Sequence, residues 1–216
     1  MQREEVKPVV ESAPVSAGAS KKVFVIGFIK CGTTSFHRLF SGSGLRAAHW
    51  RTDEAFLACT IFANMALRRN LLTGLTRFDA FTDIIYLDEQ TYLEANVLFP
   101  TLHAENPDAL FILNTRDREK WLASRLSHGA GQSRSMIRRT MAALRASQED
   151  VVAFWSRQWD DHHAAVRAFF ADKDTFVEFD IDKDSPEKLV RFFEGHGMTL
   201  KAAAWGQHNV TKRAKA

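Results

Sequence analysis

The fold is decided by residues 22–40, which read KVFVIGFIKCGTTSFHRLF. Residues 23–26 form an apolar run rich in β-branched side chains, which is typical of a strand buried on both faces. Gly27 and Gly32 follow it, and apolar residues then recur at helical spacing up to Phe40. The sequence therefore predicts a strand that turns directly into a helix.

A turn of this kind is a binding site for an anion. The first amides of the helix have no intrahelical acceptor, and the helix dipole favours negative charge there. Gly32 allows the backbone to approach a ligand closely, and the hydroxyls of Thr33, Thr34 and Ser35 add hydrogen-bond donors. Lys30 adds a full positive charge. The alternative is an ordinary strand-to-helix turn in which Lys30 is solvated.

The loop differs from the phosphate loop of nucleotide triphosphatases, G-x-x-x-x-G-K-[ST], at one decisive position. Thr33 stands where that motif has its lysine, and the lysine of this chain lies inside the loop at position 30. The difference counts against a phosphate-loop kinase or nucleotidase. So does the lack of an evident magnesium ligand beyond Thr34.

Composition favours one ordinary soluble domain. The chain has 216 residues, of which 45% are hydrophobic and 25% charged. We expect residues 1–20 to be a disordered leader and residues 21–216 to form a single domain. No uncharged apolar run approaches 18 residues, so we expect no membrane segment. With no secretory signal, Cys31 and Cys59 are expected to be reduced thiols of a cytoplasmic protein.

Charge and side-chain spacing limit the ligands that we expect. A net charge of +3 suits a small anion rather than nucleic acid, since much of the excess lies in the C-terminal tail. His162 and His163 are adjacent, so they diverge on a helix, and no spacing of His, Cys or carboxylates resembles a metal cage. The oligomeric state is left open.

Strand patterns alternate with helical patterns along the rest of the chain. Strands are expected at residues 45–50, 78–86, 109–113 and 175–179, and one of the helices between them at residues 91–105. This alternation predicts an α/β fold with a mostly parallel central sheet flanked by helices. Ligands of such folds bind at the carboxyl edge of the sheet.

Arg116 follows the strand expected at residues 109–113, and Ser124 lies eight residues later, about two helical turns on. An arginine fork with a hydroxyl holds a dianionic phosphate well, whereas a lysine acts only as a point charge. By itself, Arg116 is more often a surface partner of Asp117 or Glu119.

Two motifs together resemble the sulfotransferases that use 3′-phosphoadenosine 5′-phosphosulfate (PAPS). Lys30-Cys31-Gly32-Thr33-Thr34 after a buried strand is similar to their phosphosulfate loop, and Arg116 and Ser124 match the spacing of their 3′-phosphate ligands. The resemblance covers residues 22–213 and implies a P-loop-like three-layer fold. It implies that residues 30–35 hold the donor without a metal ion, and it makes Lys212 and Arg213 candidates for closing over the 3′-phosphate. The alternative for these two residues is a frayed basic end.

The resemblance also implies a reaction, the transfer of a sulfuryl group to a hydroxyl or amine. Lys30 would then stabilise the leaving phosphate oxygen. Sulfotransferases place a histidine or an acidic residue after the strand that Asp83 ends, so Asp83 is the preferred base. Asp88, Glu89 and His49 remain open as alternatives.

Two other functions stay open at this point. One is a P-loop kinase or NTPase, and the other is a non-catalytic nucleotide-binding protein of the same fold. A sulfotransferase would take a small-molecule or glycan acceptor, whose identity the sequence does not indicate.

Overall fold

A computed structural model describes residues 21–206. In this part of the chain the strands are β1 (Val23–Val25), β2 (Ala47–His49), β3 (Ala80–Thr82), β4 (Ile85–Leu87), β5 (Tyr92–Glu94), β6 (Leu110–Thr115) and β7 (Phe176–Asp180). The helices described are α1 (Thr33–Gly42), α2 (Leu57–Ala66), α3 (Phe99–Glu105), α4 (Arg118–Ser127), α5 (Met136–Leu144), α6 (Gln148–Phe169) and α7 (Pro186–Gly195). Two short 3₁₀ helices span Ala95–Leu98 and Ala202–Ala204.

The central sheet has five parallel strands in the order β2-β3-β1-β6-β7. Alternate side chains of β1 point to opposite faces of the sheet, and both faces of the strand are buried. Phe24 packs with α2, α3 and α6 on one face, whereas Val23 and Val25 pack with α1 and α7 on the other. The expected α/β fold, with helices on both sides of a parallel sheet, is confirmed.

A second core lies beyond the carboxyl edge of the sheet. It is formed by α4, α5 and the first half of α6, which pack around Phe28 and Ile29 of the loop after β1. Trp121, Trp155 and Trp159 are its largest members, and all three are buried. This core holds the loop from outside the sheet, so the loop is a rigid part of the fold.

The strand expected at residues 78–86 is in fact two strands. β3 ends at Thr82, and Asp83 adopts a left-handed backbone with φ of 57°. This turn takes the chain out of the parallel sheet, and β4 then pairs antiparallel with β5 in a separate hairpin. Asp83 still follows the parallel strand directly, as expected.

The single helix expected at residues 91–105 is wrong. This segment contains β5, the 3₁₀ helix and the short helix α3. Pro100 explains the late start of α3, since proline is tolerated in a first helical turn but clashes inside a helix. The apolar face expected on this helix, with Leu93, Val97, Leu98 and Leu102, does not form, because Val97 is exposed.

The other predicted strands are present with small changes of boundary, as β2, β6 and β7. The leader expected at residues 1–20 and the basic residues Lys212 and Arg213 lie outside the described residues. Among the helices of residues 21–206, none combines the length and apolar character needed to span a bilayer.

Candidate functional site

Five strand ends meet at one edge of the molecule, because all strands of the central sheet are parallel. The loop of residues 26–32 follows β1, Asp83 follows β3 and Arg116 follows β6. His49 ends β2, and Asp182 lies just after β7. The expected site residues therefore come from separate strands and gather at this edge.

Two glycines allow the loop after β1 to take its path. A Cβ atom at Gly27 would overlap the backbone oxygen of Asn114 on β6. Gly32 has a φ of 80° and lies against Ile181, so a side chain there would be strained and crowded. Only glycine fits both positions without a shift of Asn114 or Ile181.

The carbonyl oxygens of residues 26–31 all accept hydrogen bonds from side chains. The donors are Asn96, Asn114, Arg116, Trp121 and His162. Carbonyl oxygens would repel an anion, so this arrangement turns the negative ends of six peptide groups towards the protein.

Helix α1 begins directly at the end of this loop. Gly32 is its N-terminal cap residue and supplies no side-chain acceptor to the first amides. The first turn of α1 carries no acidic side chain, so the positive end of the helix dipole is not neutralised there. Thr33 is buried and Thr34 is half-buried at this end. The start of α1 therefore has the properties of an anion site.

Two predicted ligands have side chains directed elsewhere. Cys31 is fully buried in the core around Phe28 and Trp121, and burial raises the pKa of its thiol. The hydroxyl of Ser35 donates to the carbonyl of Gly206, which joins α1 to the last described residue. The amide of Ser35 donates to the carbonyl of Gly32 at 2.8 Å, so both donors of Ser35 are engaged within the protein.

Lys30 has a left-handed backbone with φ of 71° inside the loop. Its Nζ lies 3.2 Å from Nδ1 of His128, which follows α4. Burial lowers the pKa of Lys30, Asp83 opposes the lowering, and Arg116 adds to it. Burial, followed by the charge of Lys30, also lowers the pKa of His128, so Nδ1 of the neutral imidazole accepts a hydrogen bond from the ammonium group.

Arg116 connects β6 to the loop. Its NH1 group donates to the carbonyl of Lys30 at 3.1 Å, and its NH2 group donates to Oδ1 of Asp182 at 3.2 Å. Its Nε is buried and has no hydrogen-bond partner among residues 21–206. Asp117 caps α4 by accepting from the amide of Lys120, as expected. Arg116 thus connects the backbone of the loop at Lys30 to the carboxylate of Asp182.

Ser124 lies on α4 and is half-buried. Lys120 is one helical turn earlier and therefore on the same face of the helix. The Nζ of Lys120 lies 3.3 Å from Oδ2 of Asp182, whose other oxygen binds Arg116. This places Lys120 next to the two residues expected to bind a phosphate, although the sequence did not single it out.

Asp83 lies beside His49 at the end of β3. The Oδ2 atom of Asp83 is 3.4 Å from Nε2 of His49, and its Oδ1 atom is buried without a hydrogen-bond partner among residues 21–206. Burial and the nearby charge of Glu94 raise the pKa of Asp83 to about 7, against the opposing effect of Lys30. An acid that titrates near neutrality suits proton transfer.

His49 is held by a neighbour on the adjacent strand. Its Nδ1 lies 2.8 Å from the hydroxyl of Thr82, and the ring stacks on His37 of α1 at 5.1 Å. Burial, and next the charge of His37, lowers the pKa of His49 to about 4. His49 is therefore a neutral imidazole at neutral pH, with Nε2 turned towards Asp83.

The other two carboxylates considered as bases belong to the β4–β5 hairpin. Asp88 accepts hydrogen bonds from the amides of Gln90 and Thr91 and from the hydroxyl of Tyr86. These bonds, and first the one from the amide of Gln90, lower its pKa, so Asp88 is a weaker base than an ordinary aspartate. Glu89 is exposed at the tip of the turn. The structure thus brings Asp83 towards Lys30 and gives Asp88 a structural role.

A buried ion pair behind the loop was not foreseen. Arg125 is fully buried on α4, and its NH2 group donates to Oε1 of Glu94 at 2.9 Å and to the hydroxyl of Tyr92 at 3.1 Å. The guanidinium also lies against the rings of Trp121 and Trp155 at 4.8 and 4.6 Å. One signal was available, since Trp121 and Arg125 are four residues apart and share a helix face.

Nothing in the sequence indicates that Asp182 and His128 belong to the site. Their partners are distant in sequence, and neither residue lies in a motif. Among the described residues, no group of three or more His, Cys, Asp or Glu side chains could hold a metal ion.

The chain belongs to the sulfotransferase domain family. The family model described as Sulfotransferase domain matches residues 22–155, which is more than half of the chain. The match begins just before β1 and ends within α6, so it includes the loop, Asp83, Arg116 and Ser124. Membership implies sulfuryl transfer, and it confirms the resemblance found in the sequence. No curated protein matches the chain.

Proposed function

We propose that this protein transfers the sulfuryl group of PAPS to a hydroxyl or amine of a small-molecule or glycan acceptor. One observation carries the proposal: Arg116 donates a hydrogen bond to the carbonyl of Lys30. This bond joins the two halves of a donor site, one for the phosphosulfate and one for the 3′-phosphate. A single PAPS molecule would need both halves close together.

The residues at the site fit such a donor. The start of α1 would bind the 5′-phosphosulfate through the positive end of its helix dipole, together with Thr33 and Thr34. Arg116 would bind the 3′-phosphate, since its buried Nε has no partner among the described residues and an arginine fork matches a phosphate. Ser124 and Lys120 lie on the adjacent face of α4.

Asp83 would act as the base. It would accept the acceptor proton while the acceptor oxygen or nitrogen forms a bond to sulfur. The bond between sulfur and the bridging phosphate oxygen would break, and its electron pair would leave with 3′-phosphoadenosine 5′-phosphate (PAP). A pKa of about 7 allows Asp83 to accept this proton near neutral pH.

Lys30 and His49 would assist at either side of the reacting sulfur. Lys30 would stabilise the charge that builds on the leaving oxygen, for which its ammonium group must exchange His128 for the donor. His49 would orient the carboxylate of Asp83 through Nε2, while its Nδ1 is held by Thr82.

Ligand-induced stabilisation and product formation test the proposal together. PAP should raise the melting temperature, because a ligand that binds only the folded state adds about 2.7 kcal/mol at 100 times its Kd. Stabilisation by ATP with Mg²⁺ but not by PAP would indicate a kinase or NTPase instead. Transfer of ³⁵S-sulfate from labelled PAPS to an acceptor library would separate an enzyme from a non-catalytic binding protein.

We also propose that the protein acts in a reducing compartment such as the cytoplasm. The two thiols support this, because Cys31 is buried and unpaired and Cys59 is also free.

A further inference from the structure

Arg116 is already bound to a carboxylate in this structure. Its NH2 group donates to Oδ1 of Asp182, and Oδ2 of the same carboxylate lies 3.3 Å from the ammonium group of Lys120. Asp182 therefore bridges two cations. Ser124 is one turn beyond Lys120 on the same helix face, so the carboxylate lies among the groups best suited to hold a phosphate.

The backbone holds Asp182 in this place. Its amide donates to Oδ1 of Asp180 at 2.9 Å, and the amide of Ile181 donates to the carbonyl of Thr115 at 2.9 Å. Ile181 in turn lies against Gly32 of the loop. The carboxylate is thus presented by a turn that packs on the loop after β1, rather than by a free surface chain.

A phosphate dianion and this carboxylate are incompatible as close neighbours. Two like charges a few ångströms apart repel strongly at a partly buried site, even after screening by salt. The side chains of Arg116 and Asp182 are 20% and 25% exposed, so solvent screens them only in part. A 3′-phosphate that binds Arg116 must therefore displace Asp182 or accept the repulsion.

We propose that Asp182 competes with the 3′-phosphate of the nucleotide for Arg116 and Lys120. This inference rests on the proposed function and adds a regulation of the same site. In the free protein, Asp182 neutralises the two cations and keeps their side chains in place. When the nucleotide binds, the carboxylate is displaced. The same competition speeds the departure of the product PAP, which carries the same 3′-phosphate.

The test compares PAP with AMP, which lacks the 3′-phosphate, by isothermal titration calorimetry. Asp182→Asn keeps the shape of the side chain and removes its charge, so PAP should bind about 10- to 100-fold more tightly. AMP should bind within about threefold of its wild-type affinity. The matched control is Asp160→Asn, which removes an equal charge from an exposed partner of Arg118. It should leave both affinities nearly unchanged.

The possible failures are distinguishable. If wild-type protein binds no PAP, the proposed function is wrong. If wild-type protein binds PAP and Arg116→Ala weakens that binding, the proposed function stands. In that case, an unchanged or weaker PAP affinity in Asp182→Asn overturns the competition and makes Asp182 a positioning residue for Arg116. Equal tightening in Asp160→Asn would also overturn it, because the effect would then be general surface charge.

Discussion

Arg116 makes the most direct prediction for a single side chain. Arg116→Ala removes a charge-assisted contact to the 3′-phosphate, so PAP binding should weaken by about 2 to 4 kcal/mol. Calorimetry with PAP measures this loss. Adenosine 5′-phosphosulfate has no 3′-phosphate and serves as the control ligand, whose affinity should hardly change. An equal loss for both ligands would mean that Arg116 contacts another part of the donor.

Lys30 should affect the rate more than the binding. If its ammonium group meets charge that develops only in the transition state, Lys30→Ala lowers kcat while the affinity for PAP changes little. The left-handed backbone at this position is about as unfavourable for alanine as for lysine, so the loop should keep its conformation. Steady-state kinetics and calorimetry on the same variant make the comparison. Lost affinity with normal turnover would make Lys30 a binding residue only.

Asp83→Asn tests the proposed base. Asparagine keeps the size of the side chain and tolerates the left-handed backbone at φ of 57°. It removes basicity, so kcat should fall by about 10² to 10⁴ while PAP affinity stays within a factor of a few. The control is Glu89→Gln at the exposed hairpin tip, which should keep a nearly normal rate. A normal rate in Asp83→Asn would exclude Asp83 as the base.

The elements differ in how well the sequence predicts them. The loop and α1 were predictable because their cause is local: a buried strand, two glycines and an apolar helix face follow within 19 residues. Arg116 was predictable for the same reason, since the strand before it is a continuous apolar run.

The β4–β5 hairpin was not predictable in this way. Its strands have only three residues each, too few for an alternating pattern to differ from a helical one. The break between β3 and β4 depends on the conformation of Asp83, which the apolar run around it hides. The partners of Lys30 and Arg116, His128 and Asp182, are 98 and 66 residues away, and such contacts arise only from the whole fold.

The hairpin supplies Glu94, and its removal should have two effects. Glu94→Gln breaks a buried pair with Arg125, so the free energy of unfolding should fall by about 3 kcal/mol. The same change removes a negative charge that raises the pKa of Asp83, so the rise of kcat/KM with pH should move to lower pH.

The control for this prediction is Glu178→Gln, which breaks a more exposed pair with Arg167. It should cost less than about 1 kcal/mol and leave the pH profile unchanged. Chemical denaturation and pH-rate profiles measure the two effects. If Glu94→Gln lowers stability but leaves the profile in place, the charge of Glu94 does not act on the base.

The stability of the whole molecule should depend on pH because of the raised pKa of Asp83. Its pKa is about 7 when folded and near the ordinary 3.8 when unfolded, so between pH 4 and 7 the folded state binds more protons. This group therefore makes its full contribution to the free energy of unfolding below pH 4, and the contribution is lost as the pH rises through 7. Asp83→Asn should gain stability relative to wild type across this range, by about 2 to 4 kcal/mol at pH 8.

His49 should show the opposite dependence. Its pKa is about 4 when folded against an ordinary 6.5, so between pH 4 and 6.5 the unfolded state binds more protons. Its contribution to the free energy of unfolding therefore grows as the pH rises through that range. The free energy of unfolding of wild type should increase relative to that of His49→Asn from pH 4 to 6.5. Urea unfolding of the three proteins at a series of pH values separates the two groups. If the difference between Asp83→Asn and wild type does not change with pH, the carboxyl of Asp83 titrates normally and cannot be a base tuned by burial.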